Sequence, residues 1–149
     1  MEGLFKYDLN MRDMHLLDRV VKQKRELKIC SLSASFDNDL MWSYYANGHQ
    51  GVVIELELDS SLGAKEVNYN GITHLDDILP LGNEEHIARE ILIRKERYWK
   101  HEQEVRVIAA SNYIPIAVKK VIIGSKVKSH PKSLLKKLLA KLGIPVIER

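Results

Sequence analysis

The sequence predicts an α+β fold, a single domain with a mixed or antiparallel sheet of about five strands and three to four helices. Segments with helical periodicity and segments with strand alternation follow one another in mixed order, with helices between some strands and adjacent strands elsewhere. The length of 149 residues fits one domain, and 45% hydrophobic and 29% charged residues is an ordinary globular composition. We therefore expect one domain over residues 1–149.

Apolar residues spaced by three and four positions, with capping residues at the ends, predict the helices. They are residues 10–26, a short helix from Asp37 or Asn38 to Ala46, a long helix from Asn83 to His101, and a last helix that begins near Pro131. Its predicted apolar face is Leu134, Leu135, Leu138, Leu139 and Leu142. Gly48 and Gly143 are suitable stops, because glycine adopts the left-handed conformation without steric cost.

Alternation of apolar and other residues predicts the strands, most clearly over residues 51–59. There one side carries Val52, Ile54, Leu56 and Leu58, and the other carries Val53, Glu55 and Glu57. The other strand candidates are residues 27–32, 67–70, 104–110, 116–123 and 145–147. A polar loop with Asp76, Asp77 and Pro80 is expected between the third strand and the long helix.

Charge is unevenly distributed along the chain. The net charge is +3, yet residues 114–149 hold nine basic residues against one acidic residue. Such a basic C-terminal part can attract a nucleotide or a nucleic acid. The alternative is a lysine-rich solvated face, because no aromatic residue lies within 114–149 to stack on a base.

Membrane-spanning and secreted proteins are not indicated. No apolar run approaches the roughly 18 residues of a membrane span, and the N-terminus lacks the basic and apolar regions of a signal peptide. The single cysteine, Cys30, cannot form an internal disulfide. We expect a cytoplasmic protein without membrane association, and the oligomeric state stays open.

The common catalytic signatures are absent from the sequence, including GxGxxG, GxxxxGK[ST], HExxH, CxxC and GxSxG. The six histidines do not occur at metal-ligand spacing, so we predict no metal and identify no cofactor. Cys30 and His49 form a nominal nucleophile and base, although a cysteine with apolar neighbours is more typical of a buried small residue.

Lys95 is the most informative anomaly in the predicted long helix. At about 100° per residue it falls among Ile87, Ile91 and Trp99 on the apolar face. A buried ammonium needs a carboxylate or a route to solvent, and the available acids are Glu55, Glu102 and Glu104. Either Lys95 binds an anionic ligand, or it forms a structural ion pair.

Two further groups of side chains are candidates for a site. Glu104 and Arg106 project to the same face of their predicted strand, where they either pair with each other or flank a ligand. Trp42 and Tyr45 lie one turn apart on the short helix, with His49 just beyond it. That spacing builds either an aromatic wall with a titratable edge or ordinary core packing.

These residues belong to three blocks that together resemble a known family. The blocks are Cys30-Ser31-Leu32-Ser33 with Leu40-Met41-Trp42, Tyr45-Ala46, His49, Gly51-Val52 and Ile54-Glu55; then Lys95, Trp99, Glu102, Glu104 and Arg106; then Val121-Ile122-Ile123-Gly124. They resemble the signature of the bacterial "domain of unknown function 2971" proteins, roughly C-[FL]-S, M-W-x-x-Y-A-x-x-H-x-G-V and K-x-x-x-W-x-x-E-x-E-x-R. The activity of that family is not established, so the resemblance implies a fold and candidate positions only.

The resemblance covers about residues 28–149 and is incomplete before them. Leu4-Phe5-Lys6-Tyr7 echoes the family's first strand, but the F-N-D-P turn that follows it in the family is missing. We therefore expect a family-like core over residues 28–149 behind an N-terminal helical segment over residues 1–27.

Three functions stay open. The first is a binding or interaction module of a bacterial stress or defence system. The second is an ADP-ribosyltransferase-like enzyme that uses NAD with Glu104 as catalytic acid, because the strands at Glu104 and at 116–123 are similar to the C-terminal half of that fold. The third is a purely structural role for the motif residues. The candidate ligand-binding residues are Trp42, Tyr45, His49, Glu55, Lys95, Trp99, Glu102 and Arg106.

Overall fold

The computed structural model describes residues 11–71, 77 and 79–149. The helices are α1 (Met11–Glu26), α2 (Asp39–Tyr45), α3 (Glu84–Ile93) and α4 (Ser129–Lys141), with 3-10 helices at Ser60–Leu62, Leu79–Leu81 and Arg97–Glu102. The strands are β1 (Lys28–Ser33), β2 (Val52–Leu58), β3 (Lys65–Glu66), β4 (Glu104–Ala109), β5 (Ile116–Ile123) and β6 (Val146–Glu148). The α+β class is confirmed, although the described strands form two sheets of three instead of one sheet of about five.

The described residues fall into two compact units. Unit 1 contains those of residues 1–32 and 63–113, and unit 2 contains those of residues 33–62 and 114–149. The prediction of one domain with a core over residues 28–149 stays a prediction. Within the described residues, no helix combines the length and the apolar composition that a membrane span requires.

Unit 1 combines a small sheet with the pair of helices α1 and α3. The strand order is β1-β4-β3, and β3 is antiparallel to β4. The hydrophobic core lies where α1 meets α3 and is formed by Val20, Leu27, Ile87 and Ala88. The predicted helix over residues 10–26 matches α1 closely, although Asn10 lies outside the described residues, as do residues 4–7.

The predicted long helix is wrong, because α3 ends at Ile93. Asn83 caps its start as expected, and its Oδ1 accepts a hydrogen bond from the backbone N of His86 at 2.9 Å. At the other end the chain becomes extended, because the backbone N of Asn68 donates to the O of Ile93 and the N of Lys95 donates to the O of Asn68, both at 3.0 Å. These bonds replace helical ones, so the helical face predicted around Lys95 does not exist.

The strand predicted over residues 67–70 is also displaced. β3 occupies Lys65–Glu66 instead, and its partner across the sheet is the segment with Val105 and Arg106. Asn68 leaves this pairing, because its backbone bonds to the end of α3. In the predicted polar loop, Pro80 lies in a 3-10 helix, and Asp76 lies outside the described residues.

Unit 2 is built on a mixed sheet with the order β2-β5-β6. β2 is antiparallel to β5, from Val52 opposite Ile123 to Leu58 opposite Ile116, with a register shift after Glu55. β6 is parallel to β5. The strands predicted over 51–59, 116–123 and 145–147 match β2, β5 and β6 to within a residue or so.

The ends of the helices in unit 2 follow the predicted signals. Asn38 caps α2, and its Oδ1 accepts a hydrogen bond from the backbone N of Leu40 at 2.9 Å. Gly48 and Gly143 have positive φ angles of 61° and 66° after α2 and α4. The predicted apolar face of α4 is only partly correct, because Leu139 is buried and Leu134, Leu138 and Leu142 are exposed.

Candidate functional site

The predicted site residues divide between the two units. Unit 1 holds Lys95, Trp99, Glu102, Glu104 and Arg106, and unit 2 holds Trp42, Tyr45, His49 and Glu55. Each group has its own geometry.

Glu104 is the centre of the group in unit 1. It is the first residue of β4 and is only 6% exposed. Strand alternation places Arg106 on the same face, and its Nε and Nη2 donate to the two carboxylate oxygens of Glu104 at 2.7 and 3.0 Å. This is the bidentate pairing that a guanidinium favours. The Nζ of Lys95 donates to Oε2 of the same carboxylate at 3.0 Å, so both oxygens of Glu104 are bonded.

Lys95 links Glu104 to a second buried carboxylate. Its Nζ bonds to Glu102, which is 3% exposed, and lies 5.1 Å from the ring centroid of Trp99. Although burial disfavours the charged amine, the hydrogen bonds to Glu102 and Glu104 raise the pKa of Lys95 above its usual range. Two of the three acids that the sequence offers as partners for Lys95 therefore contact it, and Glu55 lies in unit 2.

Two hydroxyl groups without a predicted role complete this network. The side chain of Ser31 in β1 hydrogen bonds to the carboxylate of Glu104, and the hydroxyl of Tyr69 accepts a hydrogen bond from the backbone N of Glu104 at 2.7 Å. Ser31 has one sequence signal, its place in the first block of the resemblance. Tyr69 has none, because its position depends on the bridge between Asn68 and Arg94.

The surroundings of Glu104 determine its charge. Burial opposes ionisation, but hydrogen bonds from Arg106, Ser31 and Lys95 outweigh it and lower the pKa of Glu104 from 4.5 to about 2. A general acid needs a proton to give near neutral pH, and a carboxylate that stabilises a cationic intermediate needs an oxygen turned towards it. The contacts of Glu104 therefore favour a structural role over the predicted role of catalytic acid.

Trp42 is the core of unit 2. The indole is 1% exposed and packs with Ala46, Val53 and Ile122. Its Nε1 donates to the backbone O of Phe36 at 2.7 Å. The ring of His49 stacks on it, with centroids 5.6 Å apart and planes 3° from parallel. Trp42 and His49 thus lie together, but the indole lies inside the core and offers no open face to a ligand.

A tight loop holds His49 in this position. Gly48 and His49 have positive φ angles of 61° and 70°. The backbone N of Gly124 donates to the O of Gly51 at 3.0 Å, and a Cβ on Gly124 would lie 2.2 Å from the O of His49. Only glycine permits this approach. The glycine that ends the third block of the resemblance is thereby placed directly against the first block.

Arg149 completes the cluster around Trp42. Its guanidinium carbon lies 5.0 Å from the centroid of the indole, and its Nη2 donates to Asp37 and Asp39 at 3.0 and 2.9 Å. His49 Nε2 lies 3.9 Å from the same oxygen of Asp39. The sequence carries no signal for this contact, because 112 positions separate Arg149 from Asp37.

Two nitrogens of this cluster lack hydrogen bonds. His49 Nδ1 and Arg149 Nη1 are buried and have no hydrogen-bond partner within the described part of the chain. The remaining predicted residues of unit 2 lie elsewhere on it. Tyr45 is 66% exposed, and Glu55 pairs with Lys120 at 2.8 Å across the β2–β5 ladder. The four predicted residues of unit 2 therefore do not converge on an open pocket.

The basic C-terminal part is largely neutralised within unit 2. Five of its nine basic residues contact carboxylates: Lys119 with Glu57, Lys120 with Glu55, Lys132 and Lys136 with Glu148, and Arg149 with Asp37 and Asp39. Hydrogen bonds from Lys132 and Lys136 lower the pKa of Glu148 to about 2. Among the described residues, Lys126, Lys128, Lys137 and Lys141 have no carboxylate within 4.0 Å.

The remaining candidates for chemistry are few. Cys30 is a free, half-buried cysteine. Within residues 11–71, 77 and 79–149 there is no group of three or more His, Cys, Asp or Glu side chains that could hold a metal ion. An open groove of about 540 Å³ runs beside α4, lined by Val127, Ser129, Lys132, Ser133, Lys136 and Lys137.

The chain matches no protein-family model, no curated protein and no solved structure. The resemblance to the "domain of unknown function 2971" proteins therefore stays a prediction. The case for a function consequently depends on the contacts within each unit.

Proposed function

We propose that this protein is a binding module that docks an acidic, amphipathic segment of a partner protein on α4 of unit 2. A row of exposed leucines carries the proposal. Leu134, Leu138 and Leu142 are 54%, 55% and 62% exposed. Their spacing of four positions places them in one row on the helix surface.

The leucine row is in excess of what the fold needs. α4 already packs through Leu139, which is 7% exposed, and the backbone N of Ile144 donates to the O of Leu139 at 2.9 Å. Single exposed apolar side chains are common on protein surfaces, but a continuous row marks an interaction site. A partner that covers the row would remove all three side chains from water together.

The lysines beside the row indicate the charge of the partner. Lys137 and Lys141 follow Leu134 and Leu138 by three positions, so they flank the row. Neither has a carboxylate within 4.0 Å among the described residues. An amphipathic segment with leucine-like anchors and flanking acids complements this surface, as in helix-in-groove recognition. Complementary charge would also speed the encounter.

A nucleic-acid partner at this end has weaker support. Most of the basic residues there are paired with carboxylates, and residues 114–149 contain no aromatic side chain to stack on a base. The membership of a bacterial stress or defence system stays a prediction of the sequence.

The NAD-dependent alternative also stays a prediction, with NAD as its cofactor. Both carboxylate oxygens of Glu104 are already hydrogen bonded within the protein, so the contacts of Glu104 do not support the NAD-dependent alternative. Release of nicotinamide from NAD by the wild-type protein, and its loss in Glu104→Gln, would support the enzyme and count against a module that only binds.

A photo-crosslinking amino acid placed at Leu138 tests the proposed docking surface in cells. The matched control carries the same amino acid at Tyr113, which is 87% exposed in unit 1. We expect an adduct from position 138 alone, and mass spectrometry should locate the cross-link in an acidic segment of another protein. An adduct with a second copy of this chain, or with a segment that is not acidic, would contradict the proposal.

Affinity measurements with the purified partner provide the second step. Leu134→Ser/Leu138→Ser should weaken binding at least about tenfold, because apolar anchors dominate such interfaces. Lys137→Glu/Lys141→Glu should weaken it by a similar factor. Lys126→Glu/Lys128→Glu is the matched control, since both lysines are also unpaired among the described residues but lie outside α4. Equal losses in all three variants would refute the leucine row as the docking site.

A further inference from the structure

We propose that the 3-10 helix Arg97–Glu102 of unit 1 is a stacking platform for a base of single-stranded nucleic acid. This inference is independent of the docking surface on α4. Three aromatic rings lie within four consecutive residues there, Tyr98, Trp99 and His101, and two exposed cations are interleaved with them, Arg97 and Lys100.

The rings form a connected but open surface. Tyr98 is 70% exposed, and its ring centroid lies 5.5 Å from that of Trp99 at an interplanar angle of 48°. The centroids of Trp99 and His101 are 5.9 Å apart. An aromatic side chain contributes most to a fold when it is buried, so an exposed tyrosine beside a tryptophan is poorly explained by folding alone. A nucleobase presents the flat apolar face that this surface lacks.

Contacts with the charge network around Lys95 hold the 3-10 helix of the platform in place. Glu102, the last residue of the 3-10 helix, is 3% exposed and bonds to Lys95. The ammonium of Lys95 also lies 5.1 Å from the ring centroid of Trp99. The backbone N of Trp99 donates to the O of Glu96 at 3.0 Å. These contacts hold Trp99 in place before binding, which lowers the conformational entropy lost when a ligand stacks beside it.

The two cations supply the second requirement of a single-stranded site. Arg97 and Lys100 are exposed, and neither has a carboxylate within 4.0 Å among the described residues. Proteins that bind single strands combine base stacking on aromatic rings with cations that follow the phosphates. The lysines of α4 lack this combination, because no aromatic residue lies in their segment.

Fluorescence anisotropy of labelled single strands of about 12 nucleotides tests the site on the full chain. We expect binding at low salt that weakens as salt is raised. Tyr98→Ala should weaken binding about tenfold, the loss expected for one base stack, and Tyr98→Phe should retain it. Tyr113→Ala is the matched control, because Tyr113 is even more exposed and its ring lies outside this cluster.

The phosphate contacts have a separate readout. Arg97→Gln/Lys100→Gln should reduce the slope of log K against log salt by about 1.4, which corresponds to two phosphate contacts on a single strand. Lys126→Gln/Lys128→Gln in unit 2 serves as the charge-matched control, because both lysines are exposed and lie outside both proposed sites, and it should leave the slope unchanged. Urea unfolding of each variant checks that the substitutions leave the fold intact, as expected for exposed side chains.

Several outcomes would overturn the proposal. They are no binding of any strand at low salt, equal losses in Tyr98→Ala and Tyr113→Ala, and equal affinity for heparin, which has charge but no bases. If AMP displaces the labelled strand at the same concentration at which the strand itself saturates the site, the site would be assigned to a free nucleotide instead. Loss of binding in Tyr98→Ala with retention in Tyr98→Phe would support the platform.

Discussion

The two groups of motif residues hold their units together by different means. In unit 1, Lys95, Glu104 and Arg106 form a buried network of charges in which both oxygens of the central carboxylate are bonded. In unit 2, Trp42 and His49 stack inside the core, and a glycine allows the loop to approach. Residues that belong to the same sequence resemblance therefore stabilise the two units in two physically different ways.

The difference determines how each unit should respond to change. A buried ion pair adds little net stability relative to an apolar substitute, but removing one partner leaves an uncompensated charge at high cost. A packed aromatic core is sensitive to any added atom, because its close packing leaves no room for one. Charge substitutions should therefore affect unit 1 most, and volume substitutions should affect unit 2 most.

Arg106→Met is expected to have the largest effect. It leaves Glu104 buried without its bidentate partner, and we expect the free energy of unfolding to fall by about 3–5 kcal/mol at neutral pH. Urea unfolding of the variant, followed by the fluorescence of Trp99 in a Trp42→Phe background, measures this loss in unit 1.

Lys119→Met is the matched control for Arg106→Met. It removes one partner of an ion pair of similar length, 2.8 Å from Lys119 Nζ to Glu57 Oε2, on exposed side chains. Exposed pairs contribute little, so no measurable change is expected. A similar loss in both variants would contradict the distinction between buried and exposed charge.

Acid should weaken unit 1 through Glu104. Its pKa is about 2 in the folded chain against an ordinary 4.5. Because the folded value is the lower one, the stabilisation is complete above about pH 4.5 and is lost as the pH falls towards 2. A difference of this size corresponds to about 3 kcal/mol. Urea unfolding at several pH values should show this loss, and Glu104→Gln should flatten the profile between those pH values.

Glu148 in unit 2 provides an internal comparison for this pH effect. Its pKa is also about 2, but its two lysine partners hold it on an exposed surface. Solvent and salt screen exposed pairs far more than buried ones. Raising the salt concentration should therefore abolish any effect of Glu148→Gln and leave the effect of Glu104→Gln. Equal sensitivity to salt would show that Glu104 is not shielded from solvent.

Local signals in the sequence predict much of the fold. The cap at Asn38, the stop at Gly48 and the bounds of β2 each depend on neighbouring residues alone, and each agrees with the structure. The predicted alternation within β2 is wrong, because Val52 and Ile54 are exposed, Val53 packs against the core, and the register shifts after Glu55. The end of α3 could not be predicted from local signals, because two backbone hydrogen bonds with the distant residue Asn68 end the helix at Ile93. Periodicity continues past that point, and no local residue marks the change.

The candidate site shows the same limit. Glu104 and Arg106 are two positions apart on one strand, so alternation suffices to predict that they share a face. Ser31 and Tyr69 reach Glu104 only through the pairing of distant segments. The charge of residues 114–149 is similarly misleading, because the carboxylates that neutralise most of it come largely from residues 33–62.

Gly124→Ala should lower the stability less than Arg106→Met does and less than acid does through Glu104. Its effect should be confined to unit 2. The new Cβ would lie 2.2 Å from the backbone O of His49, so the loop must move, at a cost of about 2 kcal/mol. Because His49 stacks on Trp42, the displacement should change the fluorescence of Trp42 in a Trp99→Phe background, even without denaturant. Ser125→Ala is the matched control, since it adds no atom at the neighbouring exposed position. Loss of stability without any change in Trp42 fluorescence would mean that the strain is relieved in β5, and that Gly124 does not position His49.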